Sequence, residues 1–277
     1  MVTRRFCKMT WMICIFIGTG FICGIASADI LLYGTTSNGD PGNSTLVEID
    51  PVNGDLLETI GSGVGYLVNG MAWDYKAQTL YASTDDAAFT GLITINIETG
   101  VGSVAGTPDW GQSAGFSVSN ITIDSDDNMV GWASTNQLVE IDKTTGEITT
   151  FTDTTIAAVD FGLSYDRFNL LYMINGVNGD LYVFVEDDQA FTQGPSVEHE
   201  CRQGDFHPTN NYYYGIEDTG TDTRSLVIIN PALDGGNFWN SYETVDQLHT
   251  LAYIVTGKAS SGSDSSNCFI RSIANAD

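Results

Sequence analysis

The chain contains 277 residues and carries a formal net charge of −25, because 35 acidic residues stand against only 10 basic ones. Nucleic acids and anionic membrane surfaces are bound through basic faces, so this charge excludes both as main partners. Acidity of this degree is instead typical of high solubility, a saline habitat or diffuse cation binding.

The first predicted element is a secretory signal peptide over residues 1–28. Three basic residues precede an apolar run from Trp11 to Ile25, which ends in the cleavage motif Ala26-Ser27-Ala28. The mature chain is expected to begin at Asp29 and to be secreted or periplasmic, with an uncleaved membrane anchor as the alternative. No later segment is long and apolar enough to cross a membrane, so no membrane insertion is expected after cleavage.

One phrase recurs five times after the leader. It reads LVEIDPVNG at Leu46, LITINIETG at Leu92, LVEIDKTTG at Leu138, LYVFV at Leu181 and LVIIN at Leu226. The leading leucines lie 46, 46, 43 and 45 residues apart. Short β-prone runs that are closed by Asp/Asn and Gly turns at this period predict the blades of a propeller.

Each repeat carries the pattern of four antiparallel strands, and the recurring phrase is the third of them. An innermost strand that ends in a polar turn comes first, as in GMAWD at Gly70–Asp74. A second strand such as Leu80-Tyr81-Ala82 follows, and a fourth strand follows the glycine turn, as at 55–60. Strongly β-prone runs separated by turn residues favour hairpins of this kind.

The first repeat lacks its innermost strand, because residues 29–33 already have the pattern of the second strand. A matching strand, His249–Tyr253, lies at the C-terminal end and is similar to residues 69–73. We therefore predict an all-β fold, a five-bladed β-propeller over residues 29–256 that is closed when the C-terminal strand completes the N-terminal blade. Residues 257–277 are predicted to form a flexible Ser-rich tail.

The LYxxx and LxxIDxxTG phrases resemble those of secreted bacterial β-propellers in the broad YVTN and quinoprotein-like repeat group. The resemblance extends over nearly the whole mature chain, but it depends on residues that form turns and blade cores. It therefore implies the fold and little chemistry. Quinone binding is not expected, because the sequence has neither a vicinal cysteine pair nor a basic set to face the cofactor.

Cysteine use changes once the leader is removed, since Cys201 and Cys268 are the two that remain in the mature chain. Two cysteines in a secreted chain predict one disulfide, which here would tie the tail to the last blade. Two free thiols in a reducing compartment are the alternative.

The channel mouth is the first place to expect chemistry in a propeller. Alignment of the innermost strands places one residue from each at a common level: Asn69, Ser119, Phe161, Arg202 and His249. With Asp160, which precedes this level by one residue, Arg202 and His249 are the catalytic candidates. The alternative is that they hydrate a narrow channel. A glycosidase would need a pair of carboxylates, and Asp160 and Asp205 are the acids expected on innermost strands.

Three other groups of residues have a functional and a structural interpretation. Asp124, Asp126 and Asn128 match the start of a calcium loop, although the glycine and glutamate that would complete it are missing, and a hairpin turn explains them equally. His207 lies in a His-Pro turn where other repeats have Asp. The loop tryptophans Trp110 and Trp239 suggest glycan stacking or, alternatively, packing.

Together these features predict a secreted, monomeric and non-enzymatic binding module for an extracellular protein or glycan. No cofactor is expected, with calcium as the possible exception. An extracellular hydrolase or lyase with its site at the channel mouth is one alternative. The other is an acidic structural surface protein that binds cations diffusely.

Overall fold

The computed structural model describes residues 29–37, 43–86, 89–106, 109–110, 116–154, 156, 161–197, 200–218, 224–231, 238–244 and 247–256. In chain order, the first blade contains β1 (Asp29–Thr36), β2 (Thr45–Ile49) and β3 (Leu56–Ile60). The second blade contains β4 (Val68–Asp74), β5 (Thr79–Asp85), β6 (Thr90–Ile95) and β7 (Gly102–Val104). The third contains β8 (Val118–Ile123), β9 (Met129–Ala133), β10 (Gln137–Ile141) and β11 (Ile148–Asp153).

The fourth blade contains β12 (Phe161–Tyr165), β13 (Leu171–Asn175), β14 (Asp180–Val185) and β15 (Ala190–Ser196). The fifth contains β16 (Cys201–Phe206), β17 (Tyr213–Asp218), β18 (Arg224–Ile229) and β19 (Phe238–Glu243), and β20 (Leu248–Thr256) ends the described chain. These strands form five four-stranded sheets, in which every pair of neighbouring strands is antiparallel. The predicted all-β, five-bladed fold is confirmed.

Strand β20 closes the ring as the sequence predicts. The first sheet has the order β20-β1-β2-β3, so its innermost strand comes from the C-terminal end of the domain. The pairing with β1 runs from Asp29 opposite Thr256 to Thr36 opposite Leu248, which is longer than the five residues that the repeat pattern indicated. The first and last parts of the domain thereby share one ladder of hydrogen bonds, and β1 is not left as the innermost edge of a three-stranded sheet.

The hydrophobic core consists of five clusters, one at each contact between neighbouring blades. The cluster between the fifth and first blades, for example, packs Ile216 and Leu226 against Leu32, Val47 and Tyr253. Corresponding clusters lie between the other four pairs of blades. Both faces of the inner strands of a blade are therefore buried, as along β9 (burial at all five positions), whereas the outermost strands β3 and β7 are mostly exposed.

The recurring phrase ends in a turn that its own polar residue stabilises. In the first blade, the Asp50 carboxylate accepts a hydrogen bond from the N–H of Val52, and the N–H of Gly54 donates to the carbonyl of Asp50. Gly54 has a φ of 78°, a left-handed conformation that glycine adopts at little cost. The Asp and Gly letters of the repeat thus belong to the fold.

The turns after the innermost strands lie on the same face of the ring and use the same device. The carboxylates of Asp74 and Asp166 each accept two backbone N–H groups of their own turn. In the fifth blade His207 replaces the aspartate, and its Nδ1 accepts from the N–H of Thr209 at 3.2 Å and of Asn210 at 3.4 Å. The prediction that His207 forms a turn is confirmed. Among the described residues, no helix is long and apolar enough to span a membrane.

Candidate functional site: the two mouths of the central channel

The five innermost strands surround a central channel that has a cavity at each end. The cavity that we name the N-terminal mouth has a volume of about 260 Å³ and is lined from the first three positions of all five strands. Its lining includes every residue that the alignment placed at one level: Asn69, Ser119, Phe161, Arg202 and His249. The common level is confirmed, and these side chains share one space.

The N-terminal mouth brings two arginines together in an acidic protein. Five basic residues lie in the described part of the mature chain, and two of them, Arg202 and Arg224, line this cavity. Both pair with the carboxylate of Asp218, with Arg202 Nη2 at 3.2 Å from Asp218 Oδ2. The Arg202 side chain is 39% exposed, so part of its guanidinium faces solvent.

His249 completes this cluster as a neutral base. Desolvation within the mouth lowers the pKa of its imidazole, and the positive charges of Arg224 and Arg202 lower it further. At neutral pH the ring is therefore uncharged and can accept or donate a hydrogen bond. The mouth combines two guanidinium groups with a neutral imidazole and two carboxylates, those of Asp85 and Asp218.

The channel is crossed just below this cavity. The side-chain amide of Gln203 on β16 donates to the carbonyl of Ser119 on β8 at 2.9 Å. These two strands are not neighbours in the ring, so the bond spans the channel. Sequence reasoning did not anticipate this bridge or the presence of Arg224, which comes from β18 and not from an innermost strand. The scarcity of basic residues was the one signal that could have indicated Arg224.

The opposite cavity, which we name the C-terminal mouth, is smaller and more apolar. Its volume is about 80 Å³, and it is lined by the ends of β4, β8, β12 and β16. Four of the residues that line it are aromatic: Trp73, Tyr75, Tyr165 and Phe206. Asp205 lies among them.

Asp205 joins three blades through its carboxylate. Oδ1 accepts from Ser164 Oγ of the fourth blade at 2.6 Å and from the N–H of Phe206 at 2.8 Å. Oδ2 accepts from the N–H of Tyr253, in the closing strand, at 2.8 Å. Burial raises the pKa of Asp205 to about 6, although these three hydrogen bonds each act to lower it.

The predicted catalytic set is brought together only in part. Arg202 and His249 meet in the N-terminal mouth, while Asp160 lies outside the described residues. Asp205 belongs to the other mouth, since three positions along a strand separate it from Arg202 by roughly 10 Å. Asp205 is therefore too far from Arg202 and His249 to contribute to a glycosidase carboxylate pair at the N-terminal mouth. A catalytic role for Asp160 stays a prediction.

The tryptophan prediction requires a correction. Trp110 is 1% exposed and packs between the second and third blades. Its indole N–H donates to the carbonyl of Gly146 at 2.9 Å. A ring without an exposed face cannot stack on a sugar, so Trp110 serves packing, which was the alternative. Trp239 lies in β19, and its side chain is outside the described residues.

The Asp124 turn supports the structural interpretation of the predicted calcium ligands. Asp124 Oδ1 accepts from the N–H groups of Asp126 and Asn128 at 2.9 and 2.7 Å, and Oδ2 accepts from Asn128 Nδ2 at 2.9 Å. Both carboxylate oxygens thus hold the turn in place. Within the described ranges, no group of three His, Cys, Asp or Glu residues is arranged to bind a metal ion.

Cys201 forms no disulfide within the described part of the chain. It is fully buried between the fourth and fifth blades, and burial raises the pKa of its thiol. A thiol of this kind reacts slowly, because the thiolate is the reactive form. Its predicted partner, Cys268, lies outside the described residues, so the disulfide remains a prediction.

Two neighbouring groups are expected to give the stability opposite pH dependences. Burial lowers the pKa of His207 to about 4, so its contribution to stability is lost as the pH falls from about 6.5 to 4. Asp205 has a raised pKa, so its contribution is lost as the pH rises from about 4 to 6. Each effect amounts to about 2–3 kcal/mol, with His207 at the lower end because its ring is partly exposed.

The His207→Asn variant is expected to separate these effects. An asparagine keeps the acceptor that the turn needs but does not titrate. The wild type gains stability from His207 as the pH rises from about 4 to 6.5, and the variant should lack this gain. In urea unfolding, the free energy of unfolding of the variant minus that of the wild type should therefore decrease by about 2 kcal/mol over this pH range. A profile parallel to that of the wild type would contradict the shifted pKa of His207.

The sheets and the central channel define a β-propeller, and comparison with solved structures finds the same class. A chain from a crystal structure of a nidogen/laminin complex superposes with a TM-score of 0.52 at 10% identity, covering 82% of this chain and 98% of that one. TolB from Acinetobacter baumannii gives a TM-score of 0.50 at 12% identity, covering 76% of this chain and 53% of the TolB chain. No protein-family model and no curated protein matches the sequence. These likenesses establish the fold alone.

Proposed function

We propose that the protein is a secreted, non-enzymatic recognition module that binds a carboxylate-bearing extracellular protein or glycan at its N-terminal mouth. The observation that carries the proposal is the presence of Arg202 and Arg224 together in one cavity of an otherwise acidic protein. A planar guanidinium matches a carboxylate in geometry and binds it with two parallel hydrogen bonds. The predicted signal peptide over residues 1–28 supports the extracellular location.

The site suits a carboxylate through directed hydrogen bonds and not through net charge. Asp218 pairs with both arginines and Asp85 lines the same cavity, so the two guanidinium groups and these two carboxylates sum to a formal charge of zero, and His249 is neutral at pH 7. The neutral imidazole supplies a further hydrogen bond next to the arginines. The uncharged polar residues of the lining, Asn69, Ser117, Ser119 and Gln203, suit hydroxyl or amide groups of the same ligand.

The fold is compatible with this use. Propellers present loops and strand ends from every blade around one opening, so a small number of residues from different blades can meet the same ligand. A protein of similar fold occurs in a crystal structure of a nidogen/laminin complex, which is an assembly between proteins. That likeness supports a role in binding as a proposal for this chain.

Binding should be measured with the mature chain against an array of uronate-containing and neutral glycans and against peptides with and without acidic side chains. Arg202→Ala should weaken binding of the carboxylate-bearing members at least about tenfold, because a charge-assisted bidentate contact contributes about 1.5–3 kcal/mol. Arg167→Ala is the matched control, since Arg167 lies on the opposite face and donates to the carbonyl of Thr209.

Three outcomes decide the proposal. Selective loss in Arg202→Ala supports it. Equal affinity of Arg202→Ala and wild type, or equal loss in Arg167→Ala, overturns it. Because Arg224 is more buried than Arg202, Arg224→Ala is interpreted only if its urea unfolding remains cooperative.

A hydrolase or lyase at the same mouth is the second candidate function, and the neutral imidazole of His249 next to two arginines is the observation that favours it. The arginines would hold a substrate carboxylate while the imidazole acts as a general base. Incubation with uronate polymers should then yield shortened products, and His249→Asn should abolish them. Unchanged polymers with the wild-type protein would exclude this activity for that substrate class.

A further inference from the structure

The C-terminal mouth is a separate cavity that the proposed function does not use. It lies at the other end of the channel, below the Gln203 bridge, and shares no lining residue with the N-terminal mouth. Its apolar walls enclose a buried carboxylate, that of Asp205. A cavity of this composition excludes most water and therefore strengthens any charge interaction inside it.

The negative charge of Asp205 has no positively charged partner among the described residues. Its three hydrogen-bond donors, Ser164 and the N–H groups of Phe206 and Tyr253, are all neutral, and no described basic side chain forms an ion pair with it. Three donors leave room for one further hydrogen bond, because a carboxylate accepts about four. Its pKa of about 6 leaves it ionised at neutral pH.

The rim of the cavity adds negative charge to that of Asp205. Asp124 and Asp166 both line it, together with Arg167. The guanidinium of Arg167 is already engaged, since it donates to the carbonyl of Thr209 at 2.7 Å and lies over the ring of Phe168 at 4.7 Å. The cavity and its rim thus carry three carboxylates and one guanidinium, which favours a cation.

The aromatic walls specify the kind of cation. Trp73, Tyr75, Tyr165 and Phe206 line the same small space as Asp205. Aromatic faces attract ammonium groups, and the attraction increases when the cation has lost its water. A metal ion would require several oxygen ligands, whereas an ammonium group needs one carboxylate and apolar surroundings.

From this arrangement we infer that the C-terminal mouth binds a small alkylammonium group, with Asp205 as its counter-ion and the aromatic residues as its walls. The volume of about 80 Å³ limits the part that enters. An apolar cavity of about 150 Å³ holds benzene, so this one admits a group of a few heavy atoms. Either a free small amine or the end of a lysine side chain offers this chemistry.

The inference can be tested by NMR on mature protein labelled with ¹⁵N-tryptophan. Methylammonium chloride and Nα-acetyl-lysine amide are titrated, with methanol and Nα-acetyl-norleucine amide as neutral counterparts and with sodium chloride at matched ionic strength. The indole N–H signal of Trp73, assigned through Trp73→Phe, is expected to shift in a saturable manner with either amine. The signal of Trp110, which packs between the second and third blades, is expected to stay in place.

Variants connect binding to the cavity. Asp205→Asn removes the counter-ion and is expected to weaken amine binding at least tenfold. Tyr75→Leu, which removes a half-buried ring and leaves the Asp205 bonds intact, is expected to weaken it several-fold and remains informative if Asp205→Asn does not fold. Arg202→Ala, at the N-terminal mouth, is expected to bind amines as the wild type does, so this test and that of the proposed function can fail independently.

The possible results divide clearly. Saturable shifts with methylammonium alone identify a free amine as the ligand, and shifts with the lysine derivative identify a side chain; both support the inference. Equal shifts with sodium chloride or with the neutral counterparts overturn it. Unchanged amine affinity in a folded Tyr75→Leu and in a folded Asp205→Asn overturns it as well.

Discussion

Deletion of residues 249–277 is expected to abolish the cooperative unfolding of the domain. Strand β20 supplies Leu251, Tyr253 and Ile254 to the cores on both sides of the first blade. Each such side chain contributes about 1.5–3 kcal/mol through burial. The deletion also removes the partner of β1 and one hydrogen bond of Asp205. Together these losses match the total stability of about 5–15 kcal/mol that a domain has.

Urea unfolding followed by near-ultraviolet circular dichroism measures this loss. A chain that ends at residue 257 is the control and, with both proteins reduced so that the predicted disulfide of Cys268 plays no part, should unfold with the wild-type midpoint, since it keeps all of β20. A truncated chain that still unfolds in one transition at the wild-type midpoint would contradict closure by β20.

A circular permutant separates ring closure from the mere loss of residues. Asp29 lies opposite Thr256 in the β1–β20 ladder, so the two residues are adjacent at one end of a hairpin. An Asn-Gly turn can join them directly, because two-residue turns of this type connect antiparallel strands. A permutant that starts at residue 247, passes from Thr256 through Asn-Gly to Asp29, and ends at residue 246 should regain wild-type cooperativity.

The fold could be predicted from the sequence because two signals agree. The repeat period gives the number of third strands, and the strand at 249–253 supplies the innermost strand that the first repeat lacks. The residues that stabilise the turns could also be predicted from the sequence. Asp50, Asp74 and His207 hold backbone N–H groups within a few residues of themselves, so their role depends on local sequence alone.

The candidate sites were only partly predictable, because they depend on contacts between blades. The level of Arg202 and His249 followed from the alignment of innermost strands. The convergence of Ser164, Asp205 and Tyr253 depends on how three blades are rotated against one another, which no local pattern records. Trp110 was misleading for a related reason. Its loop composition suggests exposure, yet the ring fills the space between two blades.

The Lys143→Met variant is expected to destabilise the domain by about 3 kcal/mol at pH 7, because it leaves a buried charge without its partner. The ammonium of Lys143, in the third blade, pairs with the carboxylates of Asp74 in the second blade and of Asp127. The Asp74 side chain is 1% exposed. Burial opposes its ionisation, but hydrogen bonds from the Ala77 N–H and from Lys143 hold the pKa below its ordinary value.

The pH dependence follows from this lowered pKa. Stability that Asp74 contributes through a depressed pKa is present above pH 4 and is lost as the pH falls through the folded-state value. In Lys143→Met the carboxylate of Asp74 loses one of the interactions that lower its pKa. The difference in unfolding free energy between variant and wild type should therefore be largest near neutral pH and should shrink toward pH 3, where Asp74 can take up a proton.

Two further variants test whether the buried charge is the cause. Lys76→Met removes an exposed lysine next to the same turn and should change the unfolding free energy by no more than about 0.5 kcal/mol. Asp74→Asn combined with Lys143→Met should recover most of the loss, because asparagine still accepts the N–H groups of Lys76 and Ala77 but carries no charge. If Lys143→Met is as mild as Lys76→Met, the ion pair between the second and third blades contributes little, and backbone hydrogen bonds alone hold Asp74 in its ionised form.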